Sequence, residues 1–133
     1  MTPRTAYEQN RRLGTPRIDM ILRVYDGIIE RLEKARHAPA DQARTLLADV
    51  RIAVFGLLIA AGQSTEDVSV NFQRLYDFVL HCLDKGADRV DDALSVLCTL
   101  RESFQSIRAQ ALEMERSGVI PPLDREHAVQ SLA

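Results

Sequence analysis

Tryptophan is absent from this 133-residue chain, and phenylalanine and tyrosine together make up only 5% of it. No run of alternating Val, Ile or Thr is bounded by turn residues, so strands are not expected. Cys82 and Cys98 both fall in helical patterns with no metal-ligand spacing around them, which predicts two buried, reduced thiols. The longest apolar run, residues 50–61, is far shorter than the ~20 residues that cross a bilayer, so membrane insertion is not expected. A formal net charge of −2 provides no basic footprint for nucleic acid or for an anionic membrane. The amino terminus lacks the apolar core of a signal peptide, and a cytoplasmic chain is expected.

What the chain does have is helical periodicity. Apolar residues make up 46% of it and charged residues 27%, enough for one domain with a real core. Thr15-Pro16 predicts a helix start, with Thr15 as cap, and Ile18, Ile21, Val24, Tyr25, Ile28 and Leu32 share one face up to about Ala35. The break at His37-Ala38-Pro39 predicts a second helix over about 41–61, ending at Gly62. Ser64 with Asp67 reads as a capping-box variant opening a third helix, with Val68, Phe72, Leu75, Tyr76, Val79 and Leu83 facing inward. Asp84-Lys85-Gly86 ends it. A fourth helix is predicted unbroken from about Asp88 to Glu115, lined by Val90, Ala93, Leu97, Leu100, Phe104, Ile107 and Ala111, and closed by Ser117-Gly118. The adjacent Asp91 and Asp92 read as solvated first-turn charges.

Four such helices with short connections predict an all-α protein, an antiparallel up-down four-helix bundle over residues 15–118. Residues 1–14 read as a mobile arm. Residues 119–133 form a tail after Pro121-Pro122 with room for a short fifth helix over 124–132.

The second predicted helix is unusual. Ten of the twelve residues from Val50 to Ala61 are apolar, and they do not keep to one side. Leu47, Val50, Val54, Leu57 and Ala61 form one stripe, while Ile52, Phe55 and Ile59 form another roughly opposite. One stripe can serve the core. The surplus one suits either a partner helix or this domain's own neighbouring helices. Gly56 lies beside it, where it would let a partner backbone come close. Phe78 lies off the main stripe of its helix and is a second groove candidate. Tyr7, the arm's only large aromatic, is a candidate anchor for the arm in a groove that a partner also uses.

No catalytic constellation stands out. His37, His81 and His127 lie in separate segments, so no two histidines pair on one helix face; Asp84 follows His81 by three residues and Asp41 follows His37 by four across Pro39, and one carboxylate beside one histidine is too few ligands for a metal site. No metal or cofactor is expected. The run HCLDKG around His81 is similar to the phosphotransfer motif, in which a histidine precedes Lys-Gly on a four-helix bundle. In that family the lysine follows by three residues, and here Lys85 follows by four. His81 would lie exposed on the polar face.

An ordered set of segments resembles the flagellin-specific export chaperones of the bacterial flagellum. These are AYEQN at 6–10, MILRVYDGIIERLEKA at 20–35 with its Tyr25-Asp26-Gly27 signature, NFQRLYDFVLHCL at 71–83, and LRESF at 100–104. The chain departs from the family where Pro16 precedes Tyr25 by nine residues rather than eight, where Asp19 and Arg23 replace Lys and Met, and where Phe104 replaces tryptophan. The resemblance implies a non-enzymatic, helical-bundle chaperone in the cytosol. It would bind the carboxy-terminal segment of flagellin, block premature polymerisation, and deliver the subunit to the export apparatus, with the export gate as a further partner. The alternatives are phosphotransfer through His81, or an adaptor for another secreted helical client. Free protein is expected to be a monomer or a weak homodimer.

Overall fold

The computed structural model describes residues 15–119. The expected arm over 1–14 with Tyr7, the expected fifth helix over 124–132 and His127 lie outside them. Among the described residues there are five α-helices, one 3-10 helix and no strand: α1 (Arg17–His37), α2 (Ala40–Ala61), α3 (Asp67–Asp84), the 3-10 turn Gly86–Arg89, α4 (Val90–Ser106) and α5 (Arg108–Arg116). The protein is an all-α helical bundle. α1 packs on α2 and α4, and α3 packs on the same two, so four helices close a ring around one core.

The core follows the apolar periodicity. Tyr25, Ile28 and Leu32 of α1, Val50 and Val54 of α2, Tyr76 and Val79 of α3, and Ala93 and Leu97 of α4 are buried together. Phe72 and Phe104 close one end, their rings stacked with centroids 5.6 Å apart, and Tyr25 lies 5.5 Å from Phe104. Three cross-helix ion pairs mark the register of α1 against the last two helices: Arg36–Asp91 at 3.0 Å, Asp26–Arg101, and Asp19–Arg108 at 2.7 Å. Ten residues back along α1 match ten forward along α4. A further seven match seven.

Several expectations need correction at helix ends. Thr15 does not cap α1. Pro16 occupies that position, and the Arg17 N–H donates across the molecule to a Glu115 carboxylate oxygen at 3.1 Å. That carboxylate answers an orphan donor at the positive end of α1. Ser64 forms no capping box: its hydroxyl accepts the Glu66 N–H, a local turn ahead of α3. Gly86, with φ +75°, permits the turn that ends α3.

The expected unbroken fourth helix is two. The backbone departs from helical geometry at Ile107, with φ −102° and ψ 6°. The preceding turns carry Thr99, Ser103 and Ser106, each hydroxyl donating to a backbone carbonyl three or four residues earlier. Such back-bonding bends helices. Ile107 is consequently 47% exposed rather than in the core. Val68 and Leu75, also expected inside, are exposed as well, and Cys98 is only half-buried. The Ser117-Gly118 close holds as expected. Gly118 has φ +83°, and the Val119 and Gly118 N–H groups donate to Met114 and Glu115 carbonyls, a complete Schellman cap.

Candidate docking face

α2 separates its two stripes as its sequence implies. Val50 and Val54 are fully buried, and Leu47, Leu57 and Ala61 pack against the core. On the other side Ile52 is 73% exposed and Phe55 52%. Ile59 is half-buried, one turn further on. Gly56 differs from expectation: it is buried, so it offers no open backbone to a partner.

The flanks of α2 are fixed by contacts with α3. Arg51 pairs with Asp84 at 2.5 Å, and the Gln73 amide donates to the Ala61 carbonyl at 3.3 Å. Phe78 projects from another flank of α3, toward the start of α4, where the Arg89 guanidinium lies 5.8 Å over its ring. Arg89 is held in turn by Asp92 at 2.7 Å. Phe78 is 40% exposed, and it does not join Ile52 and Phe55 in one groove. Two separate apolar patches exist, one on each flank of α3.

Beside Ile52 lies a cleft that sequence reasoning missed. It has a volume of about 620 Å³ and sits between the first half of α2 and the end of α3 with its following turn. Ala43, Ala48, Leu83 and Ala87 line it, with Arg44, Arg51 and Asp84 as its charged groups. The signal for half of it was in the α2 sequence, where Ala40, Arg44, Ala48 and Ile52 recur every four residues along one row. The other half comes from the chain reversal at Gly86, which no α2 pattern contains.

No group of three or more His, Cys, Asp or Glu among the described residues could hold a metal ion. His81 is exposed in the last turn of α3, and His37 is exposed at the end of α1. Burial raises the thiol pKa of both Cys82 and Cys98, which keeps them protonated and poorly nucleophilic. No described helix is long and apolar enough to cross a membrane. Comparison with protein-family models, with curated proteins and with solved structures found no match to this chain.

Proposed function

We propose that the protein is an export chaperone for flagellin. It binds flagellin's carboxy-terminal segment in the cytosol, prevents premature polymerisation, and supports delivery to the flagellar export apparatus. The observation that carries this reading is the exposed pair Ile52 and Phe55 on a helix whose opposite stripe packs into the core, with Val50 and Val54 fully buried. A helical segment laid across that face would cover Ile52, Phe55 and Ile59, the i, i+3, i+7 spacing of helix-in-groove recognition. Each anchor that becomes buried contributes roughly 1.5–3 kcal/mol, less what ordering the client costs. The ordered resemblance over about residues 6–112 points to flagellin as the client.

The bundle is read as antiparallel and up-down. In support, the α1 and α4–α5 ion pairs step in opposite directions along the two segments, and the α1–α2 and α2–α3 connections are short. The proposed activity is binding alone, with no catalytic residue and no cofactor.

The test is calorimetric titration of full-length protein with the carboxy-terminal segment of flagellin from the same organism, for wild type and Phe55→Asp. The expected result is tight one-to-one binding that the substitution abolishes without loss of helicity. No heat from a folded wild type would reject flagellin as the client. Binding that survives Phe55→Asp would keep the client and move the groove away from α2.

A further inference from the structure

The cleft beside Ile52 has a shape and a charge, and together they describe what fits it. Its volume of about 620 Å³ falls within the roughly 300–1,000 Å³ of sites that enclose a ligand group. Its floor is apolar and made largely of small side chains, so a bulky partner side chain can enter without displacing anything. Its mouth is continuous with the apolar face of α2, because Ile52 lines the cleft and Phe55 follows one turn later on that face.

Charge narrows the occupant. Three charged residues line the cleft: Arg44, Arg51 and Asp84. Arg51 and Asp84 neutralise each other at 2.5 Å. Arg44 is exposed and forms no ion pair with any described residue, so the lining carries one uncompensated positive charge. A partner that brings a second cation here would face repulsion. One that brings a carboxylate would complete a charge-assisted hydrogen bond, bidentate if the guanidinium meets it in plane.

We propose that this cleft docks an acidic, amphipathic helical segment of a partner protein. One large apolar side chain of the segment seats over Ala43 and Ala48, a carboxylate of it pairs with Arg44, and its remaining apolar residues run along Ile52 and Phe55. The proposal deepens the chaperone reading, since it concerns the same face of α2, and it states which chemistry the partner must carry there. Its test uses a designed peptide rather than flagellin, so failure of the client assignment and failure of the cleft assignment are separate results.

The experiment is an amide-resolved NMR titration of the full-length protein with two synthetic amphipathic helical peptides. Both are about five turns long, ~18 residues, with the same leucine face. One carries Glu on the flanks and the other Lys at the same positions. The Glu peptide is expected to shift the amides of Ala43, Arg44, Ala48, Ile52 and Ala87 saturably, and to bind roughly tenfold more tightly than the Lys peptide. Arg44→Glu should reverse that preference. Ala48→Trp, which fills the cleft from an exposed position, should weaken the Glu peptide by about the same factor. Circular dichroism confirms that both surface variants remain folded. Equal affinity for the two peptides would overturn the proposal, as would shifts confined to the Phe55 end or indifference to both substitutions.

Discussion

At the level of single residues, the Tyr25 and Tyr76 hydroxyls define the polar content of the core. They lie 2.6 Å apart, buried, 51 positions apart in sequence. Burial raises the pKa of both phenols, so both stay neutral at any ordinary pH. One hydroxyl donates to the other, and each is the other's partner. Removing one leaves a buried polar group alone, whereas removing both leaves nothing to satisfy. Tyr76→Phe or Tyr25→Phe alone is therefore expected to cost about 1–3 kcal/mol in urea unfolding. The double variant should recover most of that loss. Equal, additive losses would mean that the hydroxyls act independently. Tyr25 sits in the segment that resembles the chaperone signature, and its contacts give it a structural role. A polar partner for Tyr25 was readable from the sequence, because a core tyrosine needs one. Its identity was not, because nothing local links helices one and three.

At the level of elements, α5 is the least anchored helix. None of its residues is buried. It is tied to α1 by two polar contacts: the two-pronged Arg108–Asp19 pair at 2.7 and 3.1 Å, and the Glu115 carboxylate on the Arg17 N–H. The break at Ile107 separates it from α4, whose Ala93, Leu97 and Leu100 are buried. Amide hydrogen exchange is expected to be faster over 108–116 than over 93–104, as local opening there exposes little apolar surface. The Arg108 hydrogen bond is the largest cause holding the Asp19 carboxyl below its usual value of 3.8. A lowered carboxyl pKa contributes stability that is present above the unfolded value and lost as pH falls through the folded one. Exchange over 108–116, corrected for its intrinsic pH dependence, should therefore rise below about pH 4. Asp19→Asn should remove that rise and leave α5 looser at neutral pH. A pH response unchanged in Asp19→Asn would assign it to another group.

At the level of the whole molecule, the two faces of α2 set how the protein behaves in solution. Ile52 and Phe55 place apolar surface in water, and such surface favours association when nothing covers it. Wild type is expected to sediment as a monomer at low concentration with weak, reversible dimer formation as concentration rises. Phe55→Asp should remain a monomer throughout. Association unaffected by that change would point to the Phe78 patch on the opposite flank of α3. The charge on the variant matters as well as the lost ring, because an unpaired carboxylate resists burial in any apolar contact.

The sequence by itself determined four helical segments, most of the stripe each one buries, and the surplus apolar side of α2; the break at Ile107 and the exposure of Val68 and Leu75 escaped the apolar pattern. The features it determined all depend on residues three and four apart in one chain segment. It also contained the Gly118 cap, since a positive φ favours glycine wherever it falls. Tertiary structure alone decided which flank of α3 Phe78 occupies, which hydroxyl answers Tyr25, and that Glu115 rather than Thr15 serves the Arg17 N–H. It also decided that a cleft opens beside Ile52. Each of these joins groups from different helices, and periodicity within one helix carries no information about the packing angle or register of its neighbours.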